Sequence, residues 1–173
     1  FKDKSLRSSG PDIVIFIILT GRSRKYLFLI KVCDKQQDSM DRIKWKKEYS
    51  SGLMYLDNHR RNYLDIVNEI IDIINRKNSA TRLPIVFHRL GFYIEDYFTK
   101  KEMAIQDAPL IRLGDYKKEH NRFTAAISDF QVRFRNGEDV SLQLVRFMID
   151  WFENYIRMFG SEAPDYMRTK GFE

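Results

Sequence analysis

From Met40 onward, apolar residues recur at spacings of three and four in four separate stretches, which is the period of one helix face. In the first stretch Leu56, His59, Tyr63, Ile66, Ile70 and Ile74 share a face. In the second, Val86, Leu90, Tyr93, Ile94, Tyr97 and Lys101 do so. The third keeps a seven-residue rhythm through Leu113, Tyr116, His120, Phe123, Ile127, Phe130 and Phe134. The fourth aligns Leu144, Met148, Trp151, Phe152, Tyr155 and Met158. The punctuation agrees with this reading. Asn78-Ser79 separates the first two segments, and Pro84 suits the first turn of the second. Ala108-Pro109 precedes the third, Asn136-Gly137 ends it, and Ser141 can cap the fourth. Only 8 Gly and 4 Pro punctuate 173 residues, which favours long helices over many short strands. Four amphipathic helices with short connections predict an all-α, up-down-up-down four-helix bundle over residues 40–173.

Residues 1–39 read differently, as a leader or linker with little structural specification. Ile13–Leu19 and Tyr26–Val32 could pair as a hairpin around Gly21-Arg22, a unit that is marginal by itself. Met40 follows a polar link and is expected to lie near the natural start of the domain; a peptide map of the native protein containing earlier residues would contradict this. The charge sits unevenly. Of the net +6, the first 39 residues carry 8 Lys/Arg against 4 Asp/Glu, leaving 22 basic and 20 acidic residues in the body. A nearly balanced body lacks the basic stripe of a nucleic-acid binder. Ile13–Leu19, the longest apolar run, is too short to span a bilayer. The lone Cys33 allows no intrachain disulfide and suits a reducing cytoplasm. These features lead us to expect a cytoplasmic protein without nucleic-acid or membrane partners.

Four motifs, in order, carry a family likeness. Trp45 to Gly52 (WKKEYSSG) with Leu56-Asp57-Asn58-His59 resembles the opening of a bacterial hemerythrin, and Asn68-Glu69 fits the same helix. Tyr93 to Glu102 (YIEDYFTKKE) is similar to that family's second-helix motif, and Asp115 to Phe123 (DYKKEHNRF) to its third. Asp150 to Ile156 (DWFENYI), with Tyr166 to Phe172 (YMRTKGF), resembles its fourth helix and tail. The likeness covers about residues 43–172. It implies a hemerythrin-like bundle in which five histidines and two bridging carboxylates hold two irons that bind dioxygen. Neutral imidazoles suit iron, and carboxylates can bridge two cations while offsetting their charge.

At most of those positions the residues here are different. The likeness places ligands at His59 and His120, which are retained. Tyr97, Tyr116 and Tyr155 stand at three further histidine positions. Lys101 and Gly160 stand where the bridging glutamate and aspartate belong. With both bridges replaced, the expectation is a bundle that has lost its di-iron centre, holds no cofactor, and acts as a non-catalytic binding, sensory or structural module. Iron and dioxygen would enter only if altered ligands had taken over, and no protein partner is named by the sequence. A lysine cation about 4 Å from even a unit positive charge is repelled by about 4 kcal/mol at an effective dielectric of ~20. The three tyrosines are expected to refill the centre, with hydroxyls pairing to His59 and His120, because buried polar groups find partners. Lys101 is expected to snorkel to water or to pair with a carboxylate. Trp151 and Phe152 are expected at the core edge, and His88, Lys117, Lys118 and Glu119 at the surface. Glu95 and Asp96 flank the inward direction of Tyr97 without sharing it, and neither they nor Glu102 are expected as substitute ligands.

Overall fold

A computed structural model describes residues 39–108, 112–160 and 163–172. The chain divides into two units, 1–38 and 39–173, and the description concerns the second. The expected hairpin, Cys33 and the proposed leader therefore lie outside the described residues, apart from Ser39.

The described residues form α1 (Met54–Arg76), α2 (Ser79–Tyr93), a π-helical turn (Ile94–Phe98), α3 (Thr99–Ile105), α4 (Leu113–Arg135), α5 (Ser141–Phe159) and α6 (Pro164–Thr169). A 3₁₀ turn at Lys47–Tyr49 precedes α1. No strand occurs among the described residues. The residues joining α2, the π turn and α3 are all right-handed helical, so these three make one continuous second rod. The bundle thus has the four long helices that the apolar period predicts. None of the described helices is long and apolar enough to cross a membrane.

Local chemistry sets the ends. α1 stops where Lys77 turns left-handed (φ 53°) and Asn78 donates its N–H back to Ile73. α4 stops in the same way at Gly137 (φ 92°), with the Glu138 N–H returning to Arg133. Two expectations about starts are corrected. α2 begins at Ser79, so Pro84 lies inside the helix; its ring is on the exposed face, where the Ala80 carbonyl it leaves unpaired can turn to water. Ser141 is the first residue of α5 rather than its cap. Asp139 supplies the acceptor, taking hydrogen bonds from the Ser141 N–H (3.0 Å) and hydroxyl (2.7 Å) and from Ser79 (2.7 Å). The tail also contains α6, a short helix opened by Pro164.

α1 packs against α2 and α5, α4 against α3 and α5, and α6 against α3. The interior is largely aromatic. Tyr63, Tyr116 and Phe123 are fully enclosed, and Tyr63 donates to the Met148 carbonyl (2.9 Å). Trp151 and Phe152 lie in this core, not at its edge. Met158 is half exposed and Phe159 faces inward instead, because seven residues from Phe152 is close to two full helical turns. Ahead of α1, the chain from Met40 to Ile43 is held along the helix by two asparagines seven residues apart. Asn68 accepts from the Ile43 N–H (2.7 Å) and donates to its carbonyl (3.0 Å), and Asn75 does the same for Met40 (2.9 and 3.0 Å).

Candidate functional site

The second rod aims the centre. A π turn places more than an ordinary turn's residues in one revolution, so neighbouring side chains share a direction that 3.6-residue spacing would separate. Tyr97 and Phe98 are both buried here, and Lys101 follows on the inner face. Lys101 does not reach for water. Only 1% of it is exposed, and its Nζ donates to Tyr155 Oη at 2.9 Å. The nitrogen lies 4.7 Å from the Tyr155 ring centre, 4.8 Å from Tyr116 and 5.7 Å from Tyr97. Burial, and then the Arg60 cation, hold this amine well below the ordinary lysine range.

Tyr155 Oη also lies 2.8 Å from His120 Nε2, and His120 Nδ1 is 2.6 Å from Glu102 Oε1. Phe98 stacks flat on the imidazole, with centroids 3.9 Å apart. Burial foremost, with the Lys101 charge, pushes His120 down to about 3, so the ring is neutral at physiological pH. With Glu102 as carboxylate, Nδ1 carries the hydrogen and Nε2 accepts from the phenol. The four side chains form one directed line, Lys101 to Tyr155 to His120 to Glu102.

The remaining predicted positions disperse. Tyr116 donates to the Phe159 carbonyl (3.2 Å) rather than to a histidine. Tyr97 stacks on His59 with ring centres 4.5 Å apart, so this pair meets face to face. His59 is half-buried, edge-on to Tyr55 at 4.7 Å, and burial lowers its pKa. His59 and Tyr97 line a groove of about 420 Å³ with Asn62, Arg89, Tyr93 and Asp96. The expected tyrosine–histidine hydrogen bond therefore forms at His120 and Tyr155, while the other two rings fill space. Glu102, not expected as a substitute ligand, reaches His120, while Glu95 and Asp96 stay exposed and Asp96 pairs with Lys100. His88, Lys117 and Lys118 are exposed as expected, and Glu119 is partly buried.

Arg60 was not legible as part of this centre. It is 5% exposed, donates to the Tyr49 carbonyl (2.6 Å) and reaches the Gly160 carbonyl at 3.4 Å. The available signal was Asp57 three residues earlier, now 3.9 Å from Arg60. At Gly160 a Cβ would sit 2.3 Å from the Ile156 carbonyl oxygen, which is backbone and yields little. Gly160→Ala is expected to cost about 1–3 kcal/mol, the range for forced overpacking; urea denaturation measures it, and an unchanged midpoint would contradict the crowding. An aspartate at 160 would meet the same crowding at its Cβ. Among the described residues, no group of three or more His, Cys, Asp or Glu side chains is placed to hold a metal ion.

No family model matches the chain. Curated relatives do. The bacteriohemerythrin of Pseudomonas aeruginosa (strain LESB58) is 28% identical over 129 residues, covering 75% of this chain and 84% of that protein. Those of Stenotrophomonas maltophilia (strain R551-3) and Clostridium acetobutylicum (strain ATCC 824) are each 21% identical, over 113 and 117 residues, covering 65% of this chain and 73% and 91% of theirs. The helical bundle, four motifs in order and relatives matched over most of their length make the chain similar to the bacteriohemerythrins.

Proposed function

We propose that this hemerythrin-like chain has lost the di-iron oxygen site and serves as a non-catalytic binding, sensory or structural module. The observation that carries the reading is Lys101. The side chain at the bridging-glutamate position is an enclosed amine, bonded to Tyr155 and surrounded by the rings of Tyr97, Tyr116 and Tyr155. A bridging ligand must offer negative charge and two lone-pair atoms, and an amine offers neither. His120, the retained ligand position nearest Lys101, already uses both ring nitrogens, one on Tyr155 and one on Glu102. His59 is stacked between Tyr55 and Tyr97. Gly160 is crowded against backbone where the second bridge would stand. The residues present do not fit a pair of irons.

The reading includes no enzymatic step, since the sequence shows no nucleophile-and-base constellation around Lys101. The charge-balanced body favours neither nucleic acid nor membrane, and a cytoplasmic setting accords with the single cysteine. Metal content by plasma mass spectrometry, on protein made in iron-supplemented medium, tests the reading. Iron at background in a folded, helical sample is the expected result. Near two irons per chain would overturn it and would assign oxygen chemistry to tyrosine and carboxylate ligands.

A further inference from the structure

The interior holds a line of oxidisable rings that ends on one tyrosine with a base beside it. From the groove inward, Tyr97 and Tyr93 have ring centres 5.3 Å apart, Tyr93 and Tyr63 5.5 Å, Tyr63 and Trp151 5.6 Å, and Trp151 and Tyr155 4.5 Å. Rings this close exchange electrons readily. The ends differ in proton chemistry. A tyrosine gives up an electron easily only if its phenolic proton can leave at the same time. Tyr63 donates to a backbone carbonyl, which is a poor base. The Trp151 N–H is buried without a hydrogen-bond partner among the described residues. It has nowhere to send a proton, so it can pass a hole on but cannot trap one. Tyr155 Oη lies 2.8 Å from the imidazole nitrogen of His120, within the reach of direct proton transfer.

We propose that Tyr155 is a redox-active tyrosine. A small one-electron oxidant meeting the groove over Tyr97 and Tyr93 draws an electron outward along Tyr63 and Trp151. Tyr155 loses that electron and, with it, its phenolic proton. The O–H bond breaks, an N–H bond forms at His120 Nε2, and the oxidant is reduced by one electron. The products are a neutral tyrosyl radical and an imidazolium that faces the Glu102 carboxylate at 2.6 Å, where opposite charge stabilises it. Lys101 keeps its hydrogen bond to the radical oxygen, and the enclosure of Tyr155 keeps the radical from solvent. This gives the sensory reading a stimulus, oxidation by one-electron oxidants, and it rests on the proposal that no iron occupies the centre.

The test is flash photo-oxidation of the full chain by a ruthenium polypyridyl complex with a sacrificial electron acceptor. The readouts are electron paramagnetic resonance and transient absorption, and metal content is measured on the same sample. In iron-free protein a long-lived neutral tyrosyl radical is expected. Tyr155→Phe should remove it, and Tyr166→Phe, outside the line, should leave it intact. His120→Gln keeps an acceptor but no base, and should slow radical formation about a hundredfold, the low end of what a positioned base contributes. Circular dichroism verifies the fold of each variant, and deuterated solvent should slow formation in the unaltered chain if Tyr155→Phe does not fold. A radical that survives Tyr155→Phe, that Tyr166→Phe abolishes, or that is absent from iron-free protein would overturn the inference. Iron near two per chain would instead remove the functional reading beneath it.

Discussion

Replacing Lys101 by methionine is expected to stabilise the protein at neutral pH, because the enclosed amine must give up its proton on folding and a thioether of similar length has none to lose. The lysine is enclosed, and its amine is held well below its ordinary value of 10.5, chiefly by burial. The unfolded chain therefore binds a proton that the folded chain does not. Stability consequently rises with pH, from the depressed value in the folded protein up to the ordinary lysine value, by about 1.4 kcal/mol per unit. Methionine fills nearly the same space, adapts its shape and carries no proton. Tyr155 loses one donor but keeps His120, so its hydroxyl is not orphaned. Urea denaturation between pH 7 and 9 reads both effects. The unaltered protein should gain stability across that interval, and Lys101→Met should be more stable and flatter. A methionine variant that melts earlier at pH 7 would mean that Lys101 is charged and well paired.

The second large effect lies on the acid side. His120 is pushed from 6.5 down to about 3, again mainly by burial. Below pH 6.5 the unfolded imidazole takes up a proton that the folded one refuses. Stability is therefore lost as pH falls from 6.5 towards 3, by about 1.4 kcal/mol per unit and about 5 kcal/mol over the window. Three carboxyl groups have different windows. Asp57 and Asp139 are pushed up by burial but pulled further down by hydrogen bonds from Ser50 and Ser51 and from Ser141 and Ser79. They add acid losses only below their ordinary 3.8. Glu102 is held above its ordinary 4.5 by burial and works oppositely, adding a little stability as pH falls towards 4.5. Thermal melts at half-unit steps, with His120→Gln alongside, isolate the histidine. The variant should show a much shallower slope between pH 6.5 and 5, the remainder including His59, whose pKa burial also lowers; an identical slope in both proteins would place the acid sensitivity elsewhere.

Periodicity alone carried the architecture. Leucine, isoleucine and aromatic residues at helical spacing leave few ways to bury a core other than helix against helix, and left-handed turns at Lys77 and Gly137 close two of the helices with local bonds only. Where a single residue sets a boundary, local pattern was weaker. Met158 and Phe159 are neighbours of similar character, and only packing chose between them. Pro84 looked like a helix start because proline fits there, yet the exposed face tolerates it one turn further in.

Motif order singled out His59, Tyr97, Lys101, Tyr116, His120, Tyr155 and Gly160, and of these Lys101, Tyr155 and His120 join in one hydrogen-bonded line. Their partners were not legible. Whether Lys101 would snorkel depended on how tightly α4, α5 and the second rod close around it, which is a property of three helices together. The inward turn of Glu102 and the paired burial of Tyr97 and Phe98 accompany a π turn that ordinary helical spacing does not anticipate. Arg60 reached the centre because the backbone of Tyr49 and Gly160, 11 and 100 residues away, presented carbonyls to it. Sequence by itself determined which residues stand at the positions the resemblance gives to ligands, because helical period and motif order are local. Tertiary structure alone decided which of them hydrogen-bond, which stack and which are neutral, because those outcomes depend on distances between helices and on the water that packing excludes.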